Sequence, residues 1–261
     1  MVKKLIVGQA DVISIVILTS IIIILAISVL NYAVFSLEKA AQQAEFEKVK
    51  NILREMAFYT VDSVINGINY EISFPTRTTR LNFITSKYKL RLEIYGLSKK
   101  PIERIVDDEI IEVICLGGEF VSPYEEVIVG LRGRVAFIND IYTTPLVVVN
   151  YNEFFGRTAV SLNFSRLLIQ DYKFSNNMIL DLTYIDISWT SKGEVSLGKI
   201  SIIYIGSSND VIYEEYVKKP IKVMLRLYLD SKLLDETVIE VNGKTYFTIR
   251  LVTHKVQYIL R

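Results

Sequence analysis

Charge is absent from one long stretch of this chain: between Asp11 and Glu38 there is no Asp, Glu, Lys or Arg. Elsewhere the scarcities are of residue type. Cys115 is the only cysteine, so an internal disulfide framework is excluded. Within the strand-like IIEVICLGG it reads as a small buried apolar residue. His254 is the only histidine, which leaves almost no material for a histidine metal site or a Ser-His-Asp triad. It reads as an ordinary residue on a terminal strand. No phosphate loop and no G-x-G-x-x-G is present, and Gly117-Gly118 and Gly130-x-x-Gly133 read as turns. A net charge of +1 without a basic run gives no basis for a nucleic-acid partner.

Carboxylates alone suffice for glycoside hydrolysis, which makes the acidic groups the remaining catalytic candidates. Asp107-Asp108-Glu109 and Glu125-Glu126 read as solvated charge in turns, and Asp181 and Asp186, which interrupt an apolar strand, are expected to face outward. No catalytic residue, metal ligand or cofactor is therefore expected, and the chain does not read as an enzyme.

The uncharged stretch is itself the strongest feature. Val12 to Leu30 reads VISIVILTSIIIILAISVL, in which fourteen of nineteen residues are Val, Ile or Leu. About 20 apolar residues at 1.5 Å per residue cross a bilayer core of about 30 Å. On the insertion scale the run favours entry into lipid by roughly 4 to 8 kcal/mol. The hydroxyls of Ser14, Thr19, Ser20 and Ser28 do not overturn this, because each is able to bond a carbonyl one turn back. Lys3 and Lys4 precede the run, while the far flank (Glu38, Lys39, Glu45, Glu47, Lys48) is nearly neutral. The positive-inside rule then keeps the N-terminus cytoplasmic and exports everything beyond residue 38.

The helical pattern continues past the membrane. SLEKAAQQAEFEKVKNILREMAFYTVDSVINGINY lacks proline and has no glycine before Gly67. Val49, Ile52, Leu53 and Met56 recur at helical spacing, as do Val61, Val64, Ile65 and Ile68. The expected helix is apolar in its first half and amphipathic in its second. It would be about 80 Å long from Val12 to Asn66, with Gly67 as its stop. The amphipathic half can pack on its own head, or serve the head on one stripe and neighbouring molecules on the other.

After Tyr70 the period changes. YKLRLEIYGL (88–97), GRVAFIN (133–139), PLVVVN (145–150), RTAVSLNF (157–164), MILDLTYIDISW (178–189) and KISIIYIG (199–206) read as strands. KVMLRLYL, ETVIEVNGKTYFTIRL and KVQYIL follow, with Asn242-Gly243 expected as a type I′ hairpin turn. The fold class is α+β: a long N-terminal helix, then a predominantly antiparallel β-sandwich head. Residues 69–155 and 156–261 are its first and second halves, divided near Tyr151 to Gly156. Asn163-Phe164-Ser165 is a formal N-glycosylation sequon, reasonable on an exported head.

The apolar segment is longer than a secretory signal core and has no A-x-A site, so it is expected to be retained. The short leader with Lys3 and Lys4, the small Gly8, the polar Gln9 to Asp11 and then the apolar helix resemble the class III signal of archaeal type IV pilin-like proteins. Departures are the separation of the lysines from Gly8 by Leu5, Ile6 and Val7, and Ile13 where bacterial pilins often carry an acid. The resemblance implies a leader of residues 1–8, removed by a prepilin-type peptidase between Gly8 and Gln9, and a mature helix of residues 9–66. It further implies that the helix stays in membrane lipid until it packs with like or unlike subunits in a surface filament, with structural or adhesive heads outside. The other reading is a signal-anchored, monomeric accessory protein of a surface filament system.

Overall fold

The computed structural model describes residues 2–74, 79, 81–131, 135–153, 155–191 and 198–261. It contains one long helix, α1 (Val2–Asn66), of 65 residues. At 1.5 Å per residue this is about 100 Å of continuous helix. The absence of proline and glycine between Gln9 and Asn66 lets it run on, and Gly67 ends it in the left-handed conformation (φ 68°). Gly67 N–H donates to the Ser63 carbonyl at 2.9 Å, closing the last turn.

The rest is strand. In chain order these are β1 (Tyr70–Phe74), β2 (Leu81–Ser86), β3 (Leu90–Tyr95), β4 (Ile102–Asp107), β5 (Ile110–Leu116), β6 (Glu126–Val129), β7 (Phe137–Ile138) and β8 (Leu146–Asn152). They continue with β9 (Arg157–Asn163), β10 (Leu167–Phe174), β11 (Asn177–Ser191), β12 (Gly198–Val217), β13 (Ile221–Leu229), β14 (Lys232–Val241) and β15 (Thr245–Leu260). Three sheets result: β1-β12-β15-β11-β10-β7, β14-β13-β3-β4, and β2-β5-β9-β8-β6. Pairing is antiparallel except for β11 with β15 and β7 with β10. The fold is thus one long N-terminal apolar helix followed by a mostly antiparallel, multi-sheet β domain.

Two hydrophobic cores share the six-stranded sheet. Met178, Leu180, Leu182 and Tyr184 of β11, with Phe247, Ile249 and Leu251 of β15, pack with Leu92, Ile94, Leu225 and Leu227 of the four-stranded sheet. Ile185 and Ile187, with Val256, Tyr258 and Leu260, belong instead to the core under the helix, with Val113, Val160 and Leu162 of the five-stranded sheet. Side chains alternate across a strand, so the step from Tyr184 to Ile185 and from odd to even positions in β15 exchanges faces. One sheet therefore buries one face at one end and the other face at the other end.

Within the segment Tyr151 to Gly156, Tyr151 and Asn152 are the end of β8 and pair directly with Thr158 and Arg157 of β9. Each sheet draws strands from both sides of the segment. The expected hairpin at Asn242-Gly243 is not one: β14 pairs with β13, while β15 pairs with β11 and β12. The left-handed residue is Lys244 (φ 60°), and a Cβ on Gly243 would lie 3.0 Å from Pro220. Glycine there permits close approach as the chain crosses between sheets, not a type I′ turn. Phe137–Ile138 is the strand within the expected 133–139 segment, of which Gly133 and Arg134 lie outside the described residues. Gly130 does turn the chain with positive φ (90°).

Candidate anchoring helix and head cavity

Between Ile13 and Leu37 helix α1 stands clear of the head over most of its length. Every residue from Ile13 to Leu37 is exposed, including Ile15 at 62%, Leu25 at 58% and Leu37 at 71%. This stretch is long and apolar enough to cross a membrane. Three of its hydroxyls are bonded within the helix: Thr19, Ser20 and Ser28 donate to the carbonyls of Ile15, Val16 and Ile24, each at 2.8 Å. A helix that satisfies its own backbone, with most of its side chains Val, Ile or Leu, presents a chiefly hydrocarbon surface.

The second half is clasped by the head. Phe46, Val49, Leu53, Met56, Ala57, Thr60, Val61 and Val64 form one buried stripe, while Glu47, Asn51, Arg54 and Glu55 stay in solvent. The stalk thus packs on its own head. Contact begins where Phe35 meets Phe120 edge-on at 4.8 Å and the Phe120 N–H donates to Gln42 Oε1 at 3.1 Å. Lys50 Nζ follows, 2.6 Å from Glu126 and 3.1 Å from Glu47. Burial works against its charge, but the two carboxylates and Tyr124 prevail and hold the ammonium pKa above its usual value. Thr60 Oγ1 then shares a 2.7 Å hydrogen bond with the fully buried Tyr258 hydroxyl while donating to the Met56 carbonyl. At the end, Tyr59 stacks on Tyr70, whose hydroxyl donates to Asp62.

Lys3, Lys4, Gly8 and Gln9 all lie in the first turns of α1, and their side chains lie outside the described residues. Cys115 is fully buried, and burial pushes its thiol pKa up. His254 sits in β15 with Nδ1 3.2 Å from the Tyr204 hydroxyl, and burial lowers its pKa. Several of the acidic groups have partners. Glu126 pairs with Lys50, and Asp107 accepts from the Tyr184 hydroxyl at 2.5 Å. Asp181 does not face outward: it is buried and held at two points by Arg250, at 2.7 and 2.6 Å, across the parallel β11–β15 pair. Asp186 is half-buried. Among the described residues no group of three or more His, Cys, Asp or Glu is arranged to hold a metal ion.

Asn163 ends β9 with Ser165 Oγ donating to its Oδ1 at 3.3 Å, and Phe164 between them is buried. It lines a half-open cavity of about 500 Å³ on the face of the five-stranded sheet that looks away from the helix. Glu112 of β5 lies in the wall, paired across the sheet with Ile84 and flanked on its own face by Ile110 and Ile114. Burial raises the Glu112 pKa, and hydrogen bonds from Ser161 and Asn163 only moderate the rise. Sequence reasoning missed this residue. The available signal was a single carboxylate inside the apolar run Ile110–Leu116.

Comparisons with protein-family models, with curated proteins and with solved structures found no match to this chain.

Proposed function

We propose that the chain is a pilin-like subunit of a surface filament, structural or adhesive in role. The observation that carries this reading is the bipartite helix: one half exposes apolar side chains on every side, and the other is locked into a β-rich head. Such a helix suits two environments in turn. In lipid it meets acyl chains; in a filament core the same surface meets the helices of neighbouring subunits, side chain against side chain. The packed half fixes the helix to its head, so force along the helix is carried into the β domain through Phe46, Leu53, Met56 and the Thr60–Tyr258 bond.

In this reading residues 1–8 are a leader cut by a prepilin-type peptidase, Lys3 and Lys4 hold it on the cytoplasmic side, and the head is extracellular. The head is read as a β-sandwich arrangement in which the six-stranded sheet serves two layers. N-terminal sequencing and intact mass of the membrane-derived protein test the processing: Gln9 as the new terminus is the expected result. A chain that begins at Met1 overturns it and leaves the signal-anchored accessory protein. Electron microscopy of cell-surface material tests polymerisation, with filaments expected and their loss expected on Gly8→Phe.

A further inference from the structure

We infer that the cavity beside Glu112 binds a primary alkylammonium group, with the carboxylate as counter-ion and the apolar walls around the carbon chain. Three observations on the head point there, and none depends on the filament reading. First, the cavity holds about 500 Å³, enough for a small organic molecule, and opens to solvent on one side. Second, its walls are chiefly apolar: Ile84, Ile114 and Leu229, with the exposed rings of Tyr88 and Phe155. Third, among the described residues that line it there is one carboxylate and no Lys, Arg or His.

The chemistry follows from that composition. An ionised carboxylate beside apolar walls is costly unless paired with a charge. Ser161 and Asn163 give Glu112 hydrogen bonds but no positive charge. An ammonium group entering the cavity supplies it, in surroundings less polar than water where the attraction is stronger. The carbon chain covers the isoleucine and leucine walls, which is favourable for each methylene removed from water. Ring faces attract the same cation, so Tyr88 and Phe155 favour it as well. An alcohol of equal length gains the apolar contact alone, and a carboxylate of equal length meets Glu112 as a like charge.

The test uses the full chain in lipid nanodiscs, with n-butylammonium, 1-butanol and butyrate as probes and saturation-transfer NMR as the readout against empty nanodiscs. Saturable binding of butylammonium, at least tenfold tighter than butanol, with butyrate not bound, is expected. Glu112→Gln is expected to remove that preference while leaving butanol binding unchanged. Equal affinity for butylammonium and butanol in the unaltered protein overturns the proposal without recourse to any variant. So does a preference that survives in Glu112→Gln, or the absence of binding. A lysine blocked at both its backbone ends distinguishes the source of the group. Binding at least as tight as butylammonium assigns a lysine side chain of a partner, and its exclusion while butylammonium still binds assigns a free amine.

Discussion

At the scale of single residues, the contact between helix and head turns on asymmetric hydrogen bonding. Thr60 Oγ1 has two partners, the Met56 carbonyl and the Tyr258 hydroxyl, whereas Tyr258 is fully buried with Thr60 as its partner. Tyr258→Phe leaves Thr60 still bonded and is expected to cost about 0.5–1.5 kcal/mol, an ordinary hydrogen bond. Thr60→Val strands a buried hydroxyl and is expected to cost more, about 1–3 kcal/mol. Urea unfolding of the two variants in detergent measures the order, and equal costs contradict it. Asp186 offers a pH-dependent counterpart. Burial pushes its pKa above the ordinary 3.8, and the nearby Asp107 adds to the rise while Lys255 opposes it. The folded state therefore holds this proton more tightly than the unfolded chain. The stabilisation is complete below the unfolded value and is lost as pH rises through the folded one. Asp186→Asn is expected to melt higher than the unaltered protein at pH 7, by a small margin because a half-exposed charge is screened. The gap should close as the pH approaches 3.8, and a gap constant with pH rules this account out.

At the scale of elements, what was readable was local. The apolar helix and its amphipathic continuation are written in consecutive residues, and Gly67 marks their end in one position. Strands β3, β8, β9, β11 and β13 were visible because each carries a run or alternation of apolar residues, of which between two and six per strand are buried. Strands β1, β2, β4, β6 and β10 were not: they are short or half-exposed, as in Ile102–Asp107, where Glu103, Arg104 and Ile105 all face solvent. Strand β12 reaches well beyond Gly206 through two register shifts, into a polar run that has no strand alternation to read. The parallel β11–β15 pair is a non-local choice, and the cavity at Glu112 draws its walls from β2, β5, β9, the end of β8 and the end of β13. The two halves of α1 also separate experimentally. Ile21→Lys with Ile22→Lys costs roughly 6 to 8 kcal/mol of insertion, close to the whole favourable sum. Membrane flotation is expected to show the double variant largely lost from the lipid fraction. Its head should melt as before, since both positions are about half exposed and neither belongs to a hydrophobic core of the head.

At the scale of the whole molecule, the helix is two devices joined end to end, and only one of them belongs to the core. Residues from Ile13 to Leu37 are all exposed, whereas Phe46, Val49, Leu53, Met56 and Val61 are at most 2% exposed and fill the space over the five-stranded sheet. Removing the stripe would expose Val113, Val160, Leu162 and Tyr258 together, an apolar patch of the kind that soluble monomers do not tolerate. Two truncations should therefore behave oppositely. A chain starting at Leu37 is expected to be soluble, monomeric by light scattering and cooperatively folded, because it keeps both cores and loses only the surface that suits lipid. A chain starting at Gly67 is expected to aggregate or to lose its near-ultraviolet dichroism, although every strand remains. If the shorter chain folds as stably as the longer one, the stalk is an appendage and not part of the head. The force path proposed for the filament would then have no anchorage in the β domain.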